Sequence, residues 1–186
     1  MRRVLCISGK RFYGKDTLAR AMVVAATRRG LSLETYAFAD ESKRMFAASH
    51  PDVELARLLS DRDYKERWRP QLTDFTVNAL AADSLVFVRE VMRRIEASSA
   101  HPLITDLRLV PELEHLRTAY EPYVLRLARS DLHRATSGWS YDTAKDTHRT
   151  ETELDDSSLW NEVVPNDGTE AELAERADSL VGRLLG

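Results

Sequence analysis

The sequence predicts an α/β domain built on a mostly parallel sheet of five strands. Short apolar runs of strand type alternate along the chain with longer amphipathic segments of helical type, which is typical of parallel sheets whose strands are connected by helices. The 186 residues, of which 43% are hydrophobic and 31% charged, suffice for one domain with a sizeable core and exclude a disordered or fibrous chain. The predicted strands cover residues 3–8, 33–38, 102–106, 123–128 and 160–164.

Helical periodicity predicts the segments that connect these strands. The first helix covers residues 16–29 and ends before Gly30, a residue that favours helix C-termini. Further helices are predicted over 40–60 with a break at Pro51, over 64–82 with an end or kink at Pro70, over 85–95, over 111–119 and after residue 169. Residues 130–158 are polar and aperiodic, and so long a segment in a compact domain predicts a lid or binding loop.

The charge balance excludes several classes of partner. Lys and Arg total 27 against 30 for Asp and Glu, and the resulting net charge of −3 argues against nucleic acid as the main partner. No apolar run approaches the ~18 residues that cross a bilayer, and the run at residues 4–7 is too short for a signal peptide. We therefore expect no membrane partner and a cytoplasmic location, with the single cysteine, Cys6, reduced and buried.

Residues 9–16 read GKRFYGKD and match the phosphate-binding pattern G-x-x-x-x-G-K. A predicted strand precedes this run and a predicted helix follows it, which is the context that the motif requires. Gly9 and Gly14 let the backbone wrap a phosphate, the N–H groups point inward and the helix N-terminus adds partial positive charge. Lys15 would reach the β- and γ-phosphates. The motif predicts nucleotide binding and leaves the second substrate open.

Asp16 stands where this motif usually has Ser or Thr. A carboxylate near phosphates is repelled unless a cation lies between them, and Mg²⁺ is a cation that carboxylate oxygens bind. Asp16 would then hold Mg²⁺ directly or through water, with the Thr17 hydroxyl as a fallback ligand. A second interpretation stays open, in which Asp16 only favours the helix start through its negative charge.

The phosphate-binding run resembles that of two related families, the animal-type phosphomevalonate kinases and the phage-type deoxynucleoside monophosphate kinases, which both carry Asp after the loop lysine. Matches continue over nearly the whole chain, at Lys43, Asp106, Arg108 and Arg126. The pattern YKExxR at 64–69 and the GW pair at 138–139 are most similar to phosphomevalonate kinase. By contrast, HRTE at 148–151, LDD at 154–156 and NxGT at 166–169 resemble the deoxynucleotide kinases.

This resemblance implies a three-layer α/β/α P-loop NTP hydrolase fold in a single kinase domain over residues 1–186. The core would comprise residues 1–129 and 159–186, the lid about 130–158 and the acceptor-binding helical region about 40–98. The implied activity is transfer of the γ-phosphoryl group of MgATP to a phosphomonoester, which yields a diphosphate. A (deoxy)nucleoside monophosphate kinase is one alternative. A non-catalytic or switch-type nucleotide-binding protein is another, although the chain lacks the N-K-x-D and D-x-x-G sequences of GTPase switches.

A phosphomonoester kinase needs one basic cluster for the nucleotide and another for the acceptor, because charge builds on the phosphoryl oxygens during transfer. The motif and the resemblance together imply the catalytic residues Lys15, Lys10, Arg11, Asp106 and Arg134. The implied nucleotide-binding residues are Gly9, Lys10, Tyr13, Gly14, Lys15, Asp16, Thr17 and Asn166. The implied substrate-binding residues are Lys43, Lys65, Arg69, Arg108 and Arg126, and Asp16 and Asp106 would hold the metal. The expected cofactors are ATP and Mg²⁺ and the expected partners are ATP and a small phosphorylated metabolite, with the oligomeric state open between monomer and homodimer.

Overall fold

The computed structural model describes the backbone of residues 1–186 and every side chain except that of Ser157. The chain divides into two compact units, one formed by Met1–Tyr36 and Ser99–Gly186 and the other by Ala37–Ser98. The strands of the first unit are β1 Arg2–Ser8, β2 Leu33–Tyr36, β3 His101–Ile104, β4 Tyr120–Ala128 and β5 Glu162–Pro165. They form one parallel sheet in the order β2-β3-β1-β4-β5. The prediction of an α/β fold with five parallel strands is confirmed.

Helices connect these strands in the order that the periodicity predicts, with shorter helices between residues 130 and 158. They are α1 Lys15–Arg28, α2 Phe38–Ser49, α3 Leu55–Ser60, α4 Arg62–Ala82, α5 Val86–Glu96, α6 Val110–Leu116, α7 Asp131–Ala135, α8 Thr143–Asp146, α9 Arg149–Thr152 and α10 Glu170–Leu184. Along the part of the chain that the structure describes, none of these helices combines the length and the apolar character needed to cross a membrane.

The core of the first unit lies between the sheet and helices α1 and α10. Residues 4–7 of the central strand β1 are almost fully buried, including Cys6 as predicted, and this explains why these four residues are all apolar. Leu18 of α1 and Leu173 of α10 pack in the same cluster as Leu5 of β1. Each such leucine stabilises the fold by about 1.5–3 kcal/mol relative to an exposed position. This packing fixes the start of α1, and hence the phosphate loop, at the carboxyl end of β1.

The second unit is helical and has its own small core. Phe46, Val53, Leu58 and Tyr64 from helices α2 to α4 and the turn between them form this cluster. The predicted break near Pro51 is confirmed, because α2 ends at Ser49 and α3 begins at Leu55.

The predicted helix over 64–82 is confirmed, because α4 covers Arg62–Ala82, and of the end or kink expected at Pro70 the end does not occur. Pro70 removes one backbone hydrogen bond. Trp68 before it and Leu72 after it both pack on the core of the second unit, and this packing on both sides outweighs the local preference of proline.

The segment 130–158 contains more local structure than its aperiodic sequence predicts. Helices α7, α8 and α9 have four or five residues each, too few for a helical period to be visible in the sequence. The residue before each helix accepts a hydrogen bond from a backbone N–H of the first turn through its side chain. These residues are Ser130 for α7, Asp142 for α8 and His148 for α9. Such caps satisfy N–H groups that a short helix leaves unpaired.

Candidate active site

The phosphate-binding run forms a tight loop between β1 and α1. Gly14 precedes α1 with a φ of 91°, a conformation that favours glycine. A Cβ atom at Gly14 would lie 2.5 Å from Nδ2 of Asn166, so no side chain fits there. The same amide donates a hydrogen bond of 2.7 Å to the carbonyl of Tyr13. Asn166, which follows β5, thus braces the loop through its backbone.

Phe12 at the tip of the loop has a φ of 62°, which residues with a side chain rarely adopt. A backbone in this region stores about 1–3 kcal/mol of strain, and such strain is concentrated at functional sites. The side chain of Phe12 is exposed, so core packing does not account for this conformation.

Lys15 is folded back on the loop. Its Nζ donates hydrogen bonds of 2.6 and 3.0 Å to the carbonyls of Gly9 and Lys10. Burial, and to a smaller extent the nearby charge of Arg108, lower the pKa of Lys15 to about 8 against the opposing effect of neighbouring carboxylates. Lys15 is therefore protonated at neutral pH, and it holds its charge against a desolvation cost that an anionic ligand would relieve.

A cleft of about 400 Å³ opens beside Lys15. It is lined by Arg11, Phe12, Gly14, Lys15, Asp16, Thr17, Arg20, Thr105, Asp106 and Arg108. Asp106 and Arg108 reach it because they follow β3 at its carboxyl end, next to β1, which is where ligands bind in open α/β sheets. The cleft brings together predicted nucleotide-binding, metal-binding and substrate-binding residues. Sequence reasoning missed Arg20, although it lies four residues after Asp16 and thus on the same side of α1.

Glu151 of α9 lies against the donors of this site. Its Oε2 accepts a hydrogen bond of 2.5 Å from the backbone N–H of Arg11, and its Oε1 accepts one from the guanidinium of Arg108. The carboxylate is buried. An acidic side chain thus sits on a loop N–H group that the motif assigns to phosphate binding, and it bridges that group to Arg108.

Asp155 pairs with two further basic residues. Its Oδ2 lies 2.8 Å from Nζ of Lys10, and its Oδ1 accepts a hydrogen bond from Arg126. Arg126 of β4 is only 6% exposed, donates a 3.0 Å hydrogen bond to the hydroxyl of Ser8 and lies over the ring of Trp160. Burial lowers the pKa of Arg126 and the charge of Asp155 opposes this shift. Arg126 is not among the described residues that line the cleft.

Arg11 and Arg134, both predicted to be catalytic, bind one carboxylate, that of Asp146 at the end of α8. Arg134 is buried, and its guanidinium lies 3.8 Å from the ring centroid of Trp139 and 5.1 Å from that of Tyr13. Asp146 carries no motif, and no signal in the sequence distinguishes it from the other acidic residues of this polar segment.

The predicted acceptor residues Lys43, Lys65 and Arg69 belong to the second unit. Lys43 lies 2.6 Å from a carboxylate oxygen of Asp40, and Arg69 is exposed and pairs with Glu66 of its own helix. Lys65 is half-buried. These three residues are on helices α2 and α4, and the cleft described above is lined by residues of the first unit alone.

Glu112 of α6 holds the loop that carries Asp106 and Arg108. Its Oε2 accepts hydrogen bonds of 2.9 Å from the backbone N–H groups of Arg108 and Leu109. Burial raises the pKa of Glu112 to about 7, although these two hydrogen bonds oppose the shift. Glu112 lies in no motif that the sequence singled out. Its place three residues after Leu109, the residue before α6, is the spacing of a capping box.

Fold and phosphate loop define the class of this protein. The shikimate kinase from Aquifex aeolicus has a similar structure, with a TM-score of 0.52 and 12% identity over 99% of both chains. A putative kinase from Chloroflexus aurantiacus gives a TM-score of 0.50 and 14% identity, covering 100% of this chain and 99% of that one. At these identities the likeness concerns the fold, which is that of the P-loop kinases, as predicted.

The sequence signature of the phosphomevalonate kinase family matches residues 7–122, and the chain belongs to this family. The phosphomevalonate kinase of Drosophila melanogaster is 28% identical over 189 residues, which cover 99% of this chain and 97% of the relative. The protein is therefore an ATP-dependent kinase. The phosphomevalonate kinase-like interpretation of the sequence is confirmed, and it is favoured over a nucleoside monophosphate kinase and over a nucleotide switch.

Proposed function

We propose that this kinase transfers the γ-phosphoryl group of ATP to mevalonate 5-phosphate and releases ADP and a diphosphate. The observation that carries the proposal is the cleft lined by both Lys15 and Arg108, which offers cations to a donor phosphate and to an acceptor phosphate. Membership of the phosphomevalonate kinase family, and the likeness to a fly protein of that name, support this acceptor.

The donor phosphates bind to the backbone N–H groups of residues 9–16 and to Lys15 in this proposal. The donor phosphates need the N–H of Arg11 and the acceptor phosphate needs the guanidinium of Arg108, and the carboxylate of Glu151 now occupies both groups. ATP therefore displaces the carboxylate of Glu151. Lys15 exchanges two carbonyl partners for phosphate oxygens, and this relieves the desolvation cost of its charge. Gly9, Gly14, Tyr13, Thr17 and Asn166 complete the nucleotide site as parts of the loop or as its support.

The donor set of the cleft fits Mg²⁺. The described residues contain no group of three or more His, Cys, Asp or Glu side chains that could hold a metal ion. Mg²⁺ needs no such group, because it is usually bound by one or two carboxylates together with substrate phosphates and water. We assign Asp16 and Asp106 to it, since both line the cleft and Asp16 is exposed. When bound, Mg²⁺ would neutralise charge on the phosphates of ATP.

Phosphoryl transfer here depends on positioning and on cations rather than on a base. An acceptor phosphate is already ionised near neutral pH, so no residue has to remove a proton from it. Lys10, Arg11, Lys15 and Arg134 offset the charge that develops on the equatorial oxygens of the γ-phosphoryl group. Because Arg134 belongs to the segment 130–158, we assign to that segment the exclusion of water from the reacting phosphates.

We assign the acceptor phosphate to Arg108 and, on the resemblance to the family, to Lys43, Lys65, Arg69 and Arg126. Lys43 and Arg69 now pair with carboxylates of their own helices. The pair of Arg69 with Glu66 is exposed, and such pairs contribute only about 0–1 kcal/mol to stability, so a doubly charged phosphate can replace that carboxylate. A location in the cytoplasm, where ATP is available and Cys6 stays reduced, fits this reaction.

Replacement of Lys15 by methionine tests the phosphoryl-transfer site. We expect Lys15→Met to abolish ADP release in a coupled assay while circular dichroism and the melting temperature stay close to those of the unaltered enzyme. The matched control is Lys145→Met, because Lys145 is exposed and pairs only with Asp142 among the described side chains. Retained turnover in Lys15→Met would contradict the proposed site.

The acceptor is tested by the same assay with a panel of phosphomonoesters. Mevalonate 5-phosphate should give the highest kcat/KM, and deoxynucleoside monophosphates should give little ADP release. A preference for a nucleotide acceptor would contradict the proposed substrate while leaving the kinase activity intact.

A further inference from the structure

The carboxylate of Asp146 connects the phosphate loop to the segment 130–158. Oδ1 accepts hydrogen bonds from Nε of Arg11 at 2.9 Å, from Nη2 of Arg134 at 3.1 Å and from the indole of Trp139 at 3.1 Å. Oδ2 accepts a hydrogen bond of 2.8 Å from the backbone N–H of Asp142. Asp146 is 8% exposed, so these four bonds form away from bulk water.

The carboxylate remains charged in spite of this burial. Desolvation would raise the pKa of Asp146, but hydrogen bonds from Asp142, Trp139 and Arg11 and the charge of Arg11 lower it to about 2. Asp146 is therefore an anion at neutral pH. It places one negative charge between two guanidinium groups that would otherwise repel each other.

Arg11 and Arg134 each make one further side-chain hydrogen bond in addition to the one with Asp146. Arg11 donates through Nη2 to the carbonyl of Ser140 at 2.6 Å in addition to its bond with Asp146. Arg134 donates through Nη1 to Asp131 at 2.7 Å, while its Nε is buried without a hydrogen-bond partner among the described residues. Asp146 is the contact that these two arginines share, and it fixes them relative to each other.

We propose that Asp146 is a positioning residue for phosphoryl transfer, which holds Arg11 of the phosphate loop and Arg134 of the segment 130–158 in the arrangement that the reacting phosphates require. The inference rests on the proposed function, because that function makes the two arginines phosphate-binding. Binding ATP loosely needs only positive charge nearby, whereas the transition state needs cations at defined positions. Asp146 thus acts on the rate of transfer and not on the affinity for ATP.

A purely structural role for Asp146 would have a different signature. If Asp146 merely kept the segment 130–158 folded, its loss would weaken nucleotide binding and turnover together. If it positions Arg11 and Arg134, its loss lowers kcat, while the affinity for ATP stays the same or rises because one negative charge near the phosphates has gone.

The test is a double-mutant cycle with Asp146→Asn, which keeps the shape of the side chain and removes its charge, and Arg134→Lys. We expect Asp146→Asn to lower kcat at least about tenfold, with the Kd for the ATP analogue AMPPNP, measured by calorimetry, within about threefold of the unaltered enzyme. The two losses in kcat should not multiply, because both remove the same arrangement, so the double variant should be at most about threefold slower than the slower single variant. The matched control is Asp178→Asn, which removes the exposed ion pair between Asp178 of α10 and Arg29 after α1 and should change neither quantity.

Three results would overturn the proposal: an unchanged kcat in Asp146→Asn, a Kd that weakens in step with kcat, or losses that multiply in the double variant. Failure of the proposed function is detected separately, by the acceptor assay with the unaltered enzyme. If mevalonate 5-phosphate gives no ADP release with the unaltered enzyme, the cycle is measured with the phosphomonoester from the panel that does.

Discussion

The affinity for ATP should depend on pH through a single buried group, Lys15. In the free protein its pKa is lowered to about 8, chiefly by burial. A phosphate within hydrogen-bond distance stabilises the protonated form, so the pKa in the complex lies well above that value. Above pH 8 the free protein therefore has to take up a proton in order to bind ATP, and each further pH unit costs about 1.4 kcal/mol of binding free energy.

The size of the effect follows from that pKa. With a pKa of about 8 in the free protein and a fully protonated lysine in the complex, the Kd rises about 25-fold between pH 7.5 and pH 9.5. Near pH 9 about 0.9 proton is taken up for each nucleotide bound. Below about pH 7 the lysine is at least nine-tenths protonated and this contribution becomes small.

Calorimetric titration with AMPPNP between pH 7.5 and 9.5 measures both quantities, since comparison of two buffers with different ionisation enthalpies gives the number of protons. The matched variant is Lys15→Arg, whose guanidinium stays charged over this range and should make the Kd nearly independent of pH. A Kd for the unaltered protein that changes less than about threefold, without proton uptake, would refute the assignment of a lowered pKa to a phosphate-binding Lys15.

Two further carboxylates give predictions, Glu151 for the affinity for ATP and Glu112 for the pH dependence of the free energy of unfolding. Glu151→Gln removes the charge that competes with phosphate for the N–H of Arg11, so calorimetry should show AMPPNP binding about three- to tenfold tighter. The control Glu153→Gln, on the same segment, should change the Kd less than about twofold. Weaker binding of AMPPNP by Glu151→Gln would contradict the displacement of Glu151 by ATP. Glu112 has a folded-state pKa raised to about 7, so its contribution to the free energy of unfolding is present at low pH and is lost as the pH rises. Between pH 5 and 7.5 this loss is about 2 kcal/mol of unfolding free energy. Glu112→Gln keeps the acceptor of the capping box but cannot titrate, so urea unfolding of this variant should show no such loss. Equal pH dependence in both proteins would show that Glu112 does not titrate in this range.

Much of the fold could be predicted because its signals are local. The apolar run of β1 and the amphipathic faces of α1 and α10 are visible as hydrophobic periods, and Gly30 marks the end of α1. Helices α7, α8 and α9 could not be predicted, since four or five residues show no period. The continuation of α4 through Pro70 depends on packing around Trp68 and Leu72, which no local rule contains.

The residues of the candidate site also fall into those that local sequence could assign and those that it could not. Lys15 and Gly14 could be assigned from spacing alone because the motif binds phosphate with a loop and the helix that follows it directly. Asp106 and Arg108 could be placed at a strand end, and the sheet order then brought them to the cleft. Asp146 gave no chemical signal in the sequence, because acidic residues in a polar segment are ordinary. Glu151 belongs to the HRTE pattern at 148–151, but that pattern did not indicate its contacts with Arg11 and Arg108.

By itself the sequence determined the phosphate loop, the strand before it, the helix after it and the resemblance to a kinase family. These features are contiguous in the chain, so the chemistry of the loop is set by residues that are neighbours whatever the rest of the molecule does. Only the tertiary structure decided which carboxylates meet the loop. Asp146 and Glu151 lie 135 and 140 residues from Arg11 and contact it because a parallel sheet gathers the carboxyl ends of distant strands, and the segments that follow them, at one edge.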